Sequence, residues 1–176
     1  MPRIRLIAGP NGSGKTTLLK TLVKNKVPVG QYINPDDIAR HIDLSESLER
    51  ASLALKQSNK LSALSDDFEH YFSVLLAQTI ATGLRTDWLA YQLSLTYESV
   101  MSHESHLAFV DKAIEGGFEP YLYYICTSDP DINNARVGQR VKSGGHDVPE
   151  DKIRSRYTKS LELLHKMSQK CKRVYF

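Results

Sequence analysis

Eight consecutive residues, Gly9-Pro10-Asn11-Gly12-Ser13-Gly14-Lys15-Thr16, set three glycines, a lysine and a hydroxyl at the spacing G-x-x-x-x-G-K-[ST]. Glycines let successive backbone N–H groups converge on one anion, and a lysine just beyond them reaches the outer oxygens of a polyphosphate. The Thr16 hydroxyl is a hard oxygen ligand suited to a phosphate-bound Mg²⁺. Such a loop needs a strand before it and a helix after it. Arg3 to Ala8 is an extended apolar run, and Thr16 to Asn25 carries Leu18, Leu19 and Leu22 on one helical face. Gly9 through Thr16 is therefore read as the phosphate cradle of a nucleoside triphosphate.

Other groups capable of chemistry sit at ends of expected strands, where ligands collect in open parallel sheets. Asp36 and Asp37 follow the short run Gln31-Tyr32-Ile33-Asn34, and either carboxylate could orient or deprotonate a hydroxyl, or cap a helix starting near Ile38. Glu98 and Ser99 end a third run, Ser94 to Tyr97; Glu98 could hold a Mg²⁺-bound water or a substrate hydroxyl, or be a plain strand-end charge. Arg136 and Arg140 stand four residues apart, so both guanidinium groups emerge on one helix face, where they could neutralise a transferring phosphoryl group or form a solvated pair. Arg154 and Arg156 lie beyond Gly144-Gly145, so residues 131–157 are a candidate arginine-bearing lid with the glycines as its hinge.

The elements that must position these groups alternate. Ser45 and Ser65 can cap helices in a region that reads helical from 44 to 85; the stripe Phe68, Phe72, Leu75, Leu76 and Ile80 is expected to be core. A helix from about Ser105 to Glu115 stops at Gly116-Gly117. Phe118 to Cys126 is a near-continuous apolar run of the kind a buried parallel strand shows. Asp129-Pro130 opens another helix, ending near Gly144. After Val148-Pro149 a last helix carries Ile153, Tyr157, Leu161 and Leu164, and Arg173 to Phe176 reads as a final strand. The pattern predicts a three-layer α/β fold of the P-loop NTPase type, a mainly parallel sheet flanked by helices, over a single domain spanning 1–176.

The 176 residues are about one domain's worth of chain, with 41% hydrophobic and 24% charged residues, an ordinary globular balance. No apolar stretch approaches a membrane span and no secretory pattern opens the chain, so a cytoplasmic location is expected. Cys126 and Cys171 have no metal spacing and read as reduced thiols. The net charge of +3 conceals an asymmetry: residues 131–176 hold eleven Lys and Arg against five Asp and Glu. These charges are interspersed with acids and carry no aromatic stacking pattern, which favours phosphates over nucleic acid as their target. Asn25-Lys26-Val27-Pro28 breaks the guanine-reading loop of GTPases, and no D-x-x-G occurs.

Taken in order, GPNGSGKTT at 9–17, YINPDDIAR at 32–40, YESVMSHESHLAFVDKAIEGGF at 97–118 and DINNARVGQRVKSGGHDVPEDKIRSRY at 131–157 resemble the zeta-toxin-like P-loop kinases, in the chromosomal branch that bears the GGHDVP block. The four segments hold 67 of the 176 residues and span nearly the whole chain; 41–90 match nothing specific. It implies ATP with Mg²⁺ on Gly9, Pro10, Asn11, Gly12, Ser13, Gly14, Lys15, Thr16 and Thr17, and Asp36 rather than Asp37 as base toward the acceptor hydroxyl. It places Glu98 against the acceptor, with Ser99 in place of a threonine. Phosphate-clamping arginines are implied in the order Arg140, Arg156, Arg136. The family's well-studied members phosphorylate UDP-N-acetylglucosamine, so a nucleotide sugar is an implied acceptor, while an antitoxin partner is not legible. Members often continue past the last strand with a polar stretch, so a truncated chain is a further expectation.

The expected activity is transfer of a γ-phosphoryl group from ATP to a hydroxyl of a small acceptor. A metabolite kinase of the gluconate or nucleoside type would share everything but the GGHDVP block. A nucleotide-dependent module gripping RNA or a protein through its basic quarter is the reading from another class.

Overall fold

In the computed structural model the described residues are 1–39, 41–42, 66–144 and 147–176, with side chains of 66–70 left aside. Their elements in chain order are β1 (Arg3–Ala8), α1 (Lys15–Lys24), β2 (Gln31–Ile33), α2 (Pro35–Ala39), α3 (Asp66–Ala90), β3 (Leu95–Ser99), α4 (Ser105–Glu115), β4 (Glu119–Tyr124), α5 (Pro130–Lys142), α6 (Glu150–Lys170) and β5 (Arg173–Tyr175). The chain divides into two compact units, Met1–Ile33 with Trp88–Phe176, and Asn34–Asp87.

The first unit holds a five-stranded, all-parallel sheet in the order β2-β3-β1-β4-β5. Parallel pairing demands crossover connections, which is why helices alternate with strands along the chain. The central strand β1 is buried from Ile4 through Ala8 because layers cover both its faces. Leu6 pairs in register with Tyr97 on one side and Leu122 on the other, and all three are buried. Each such aliphatic side chain stabilises the fold by about 1.5–3 kcal/mol.

The same register puts Ile7 between Glu98 and Tyr123, so Glu98 reaches the carboxyl end of the sheet beside the loop that follows β1. Asp129 caps α5, its Oδ1 accepting from the Asp131 N–H at 2.8 Å, with Pro130 in the first turn. Helix α6 is pinned to the sheet by Ser160, which accepts from the Tyr124 hydroxyl at 3.0 Å and donates to the Val100 carbonyl at 2.7 Å. That pairing sets its inward stripe as Ile153, Ser160, Leu163 and Met167, whereas Leu161 is exposed.

In the second unit, α2 is a short helix whose start is served by Asn34; its Oδ1 accepts from the Asp36 N–H at 3.0 Å. The cap role open to Asp36 thus belongs to Asn34. Along α3 the expected apolar stripe is corrected: Leu75 and Ile80 are 49% and 43% exposed, whereas the smaller Ser73, Ala77 and Ala81, spaced four apart, are buried. The Ser45 cap, the Ser65 cap and the side chain of Phe68 fall outside the described residues, as do Gly145 and His146.

Candidate active site

Between β1 and α1 the chain turns through three glycines because no other residue fits. Gly9 has φ 143°, and a Cβ there would lie 1.9 Å from the Ile125 carbonyl oxygen. Gly12 has φ 75°, and its Cβ would lie 2.7 Å from the Asn133 carbonyl oxygen. The residue ahead of α1 is Gly14, so the first-turn amides receive no side-chain cap. Those donors, with the positive end of the helix dipole, suit an anion. The buried Ser13 hydroxyl, with no hydrogen-bond partner in the protein, adds a further donor to the cradle. Lys15 Nζ bridges the carbonyls of Gly9 and Pro10, each at 2.9 Å, which keeps the ammonium at the loop.

Beside the cradle, Glu98 is only 6% exposed and both its oxygens are engaged. Thr16 Oγ1 donates to Oε2 at 3.0 Å and the Tyr32 hydroxyl donates to Oε1 at 2.8 Å. Two hydroxyl donors of this kind hold a buried carboxylate oriented. The donor set is hard oxygen throughout, the chemistry Mg²⁺ takes beside a polyphosphate. Next along β3, the Ser99 hydroxyl accepts from the Met101 N–H at 2.9 Å and lies 2.8 Å from His106 Nε2. His106 in turn stacks on Tyr97 at 6.0 Å. Ser99 is thereby joined to the turn leading into α4.

Helix α5 lies against the crown of the loop. Arg136 Nη1 donates to the Gly12 carbonyl at 3.4 Å, and the fully buried Asn133 donates from Nδ2 to the Asn11 carbonyl at 2.6 Å. Arg140, one turn on from Arg136, is half-buried. Arg154 is held by Asp131 and Glu150, tying the start of α5 to α6, and these partners raise its guanidinium pKa further. Arg156 is half-buried on α6. Tyr157 closes the same corner by donating to the Thr127 carbonyl at 2.7 Å.

A cavity of about 740 Å³ opens against the loop, lined by Gly12 to Gly14 and Arg136 on one side and by Leu18, Thr21, Tyr123 and Tyr175 on the other. Tyr123 and Tyr175 stack at 4.7 Å, and burial, the largest cause, together with Tyr175 pushes the Tyr123 phenol pKa up. An apolar, partly aromatic wall beside a phosphate cradle has the size and character of a nucleoside pocket.

The first unit thus brings together Gly9 through Thr17, Glu98, Ser99 and Arg136, with Arg140 and Arg156 on the neighbouring helices. Asp36 lies in the second unit, exposed on α2. Tyr32, Asn133, Thr127 and His106 escaped the sequence reading. Tyr32 could have been suspected, since a phenol in a strand next to β3 faces that strand's polar end; the others depend on long-range packing that spacing does not encode.

The family model described as ABC transporter matches residues 2–116. An uncharacterized protein of Haemophilus influenzae is 32% identical over 149 residues, covering 85% of this chain and 88% of its own. Among solved structures, that of the PezAT chromosomal toxin-antitoxin system of Streptococcus pneumoniae superimposes with a TM-score of 0.66 at 15% identity, over 99% of this chain and 67% of that one. The AvrRxo1-ORF1:-ORF2 complex with ATP gives 0.60 at 21% identity, over 96% of this chain and 50% of that one. Both likenesses are of fold. With well over half of its residues under the matched family model, phosphate loop included, the chain belongs to the ABC transporter-type family of P-loop NTPases.

Proposed function

We propose that the protein is a kinase that transfers the γ-phosphoryl group of ATP to a hydroxyl of a small acceptor. The observation that carries this reading is the Thr16–Glu98–Tyr32 hydrogen-bonded set beside the phosphate loop. Thr16 and Glu98 would hold Mg²⁺, which when bound neutralises charge on the phosphate oxygens. Lys15 exchanges its loop carbonyls for the outer phosphates, and Arg136, Arg140 and Arg156 stabilise the charge spread over the transferring group. The base's task, taking the proton from the acceptor hydroxyl, is assigned to Asp36 on its place after β2 and the resemblance of its N-P-D segment. Glu98 and Ser99 mark the acceptor side. The acceptor to test first is a nucleotide sugar such as UDP-N-acetylglucosamine, on the zeta-toxin-like pattern of the GGHDVP block.

The test is incubation with ATP, Mg²⁺ and a panel of nucleotide sugars and metabolites, read by mass spectrometry for a gain of one phosphate. A phosphorylated acceptor whose formation is lost in Asp36→Asn, with ATP binding intact, supports the whole assignment. Full transfer by Asp36→Asn removes Asp36 as base. The match to the ABC transporter model favours a second reading, an ATPase that couples hydrolysis to a partner. Phosphate release with no acceptor modified would select it.

A further inference from the structure

We infer that Asn133 is a positioning residue for nucleotide binding, which locks the Asn11–Gly12 peptide so that the loop presents N–H groups rather than a carbonyl to the phosphates. The inference rests on the phosphate-binding reading of the loop but not on any acceptor. An anion cradle works only while its carbonyls point outward. The Asn11 carbonyl does so, and it is met by Asn133 Nδ2 at 2.6 Å in a buried setting. At Gly12, with φ 75°, glycine adopts either sign of φ at similar cost, so sterics alone do little to oppose a flip of the preceding peptide. The hydrogen bond is what opposes it, since turning the carbonyl away would leave a buried amide donor unsatisfied.

Asn133 is itself held. The Thr127 hydroxyl proton is shared between Asn133 Oδ1 and the Asp129 carbonyl, which favours the amide orientation with Nδ2 toward the loop. Thr127 is anchored through its carbonyl by Tyr157 of α6. Asn133 is fully buried, and its own carbonyl is the atom that excludes a side chain at Gly12. One side chain therefore connects the β4–α5 turn to the crown of the phosphate loop. Arg136, from the next turn of the same helix, reaches the neighbouring Gly12 carbonyl.

The experiment measures affinity for ATP and for inorganic tripolyphosphate by calorimetry in the wild type, Asn133→Ala, Thr127→Val and, as a control, Asn134→Ala. Tripolyphosphate probes the cradle without the nucleoside pocket. The expected result is a loss of about tenfold for both ligands in Asn133→Ala, a smaller loss of about threefold for both in Thr127→Val, and a change under twofold in Asn134→Ala. If Asn133→Ala does not fold, the Thr127→Val result decides. Unchanged affinities in the folded variants, or a loss for ATP without a loss for tripolyphosphate, overturn the inference. A wild type that binds neither ligand overturns the phosphate-binding reading and this inference with it, whereas wild-type binding unaltered by the variants overturns the tether alone.

Discussion

Glu98 is a buried carboxylate whose position depends on two hydroxyl donors, and they are unequal in consequence. Thr16 is the proposed metal ligand, so its loss confounds two roles. Tyr32→Phe removes only a donor and keeps the ring. A hydrogen bond to a charged group is worth about 1.5–3 kcal/mol net, so Tyr32→Phe is expected to raise the Mg²⁺ concentration for half-maximal activity about tenfold. Mg²⁺ titration at saturating ATP checks this. At Gly12 the left-handed conformation alone costs alanine about 1–2 kcal/mol, before its contact with the Asn133 carbonyl. Gly12→Ala is therefore expected to lower the melting temperature by several degrees and to weaken ATP binding at least tenfold, as calorimetry would show. The phosphate loop was legible because its residue types and spacing are local, although Gly9 and Gly12 are also hemmed in by the distant carbonyls of Ile125 and Asn133. Tyr32 and Asn133 were not, because a phenol and an amide acquire meaning only from partners 66 and 122 residues away.

Elements were legible to the extent that their boundaries are written in local chemistry. Helix α4 spans Ser105 to Glu115 as expected, stopping at a glycine pair, and α5 starts at the expected Asp129-Pro130. The inner face of α3 was misjudged, and that of α6 left unread, for one physical reason. Apolar periodicity finds the greasiest stripe, whereas packing selected small side chains in α3 and a hydrogen-bonded serine in α6. At the α5–α6 junction the visible ion pairs mislead in the opposite direction. Arg154 contacts two carboxylates, yet all three side chains are about half exposed or more. Exposed pairs contribute little after solvent screening, so Arg154→Ala is expected to shift the melting temperature by less than about 4 °C in thermal unfolding followed by circular dichroism.

At the scale of the whole molecule, stability responds to pH through groups that folding removes from water. Burial raises the Cys171 thiol from its ordinary 9.0 to about 11. A group whose folded pKa is raised contributes stability that is complete below its unfolded value and is lost as pH rises through the folded one. Unfolding free energy from urea titrations is thus expected to lose the Cys171 contribution between about pH 9 and pH 11, and Cys171→Ser should remove that part of the slope. Thiol labelling at pH 8 should modify the exposed Cys126 first.

Strand order carries one more consequence, for how the chain is made. Of the five strands described, the one made first is the middle of the sheet, with neighbours at Leu95–Ser99 and Glu119–Tyr124. At a synthesis rate of roughly 5–20 residues per second, Ile4, Leu6 and Ile7 wait about 6–25 seconds for a hydrogen-bonding partner on both sides. Until then the glycine turn hangs from a strand paired on one side at most. Nascent chains halted before β4 should therefore remain open to protease at their apolar start, which makes the arrival of Glu119–Tyr124 the moment at which the newborn chain closes its centre.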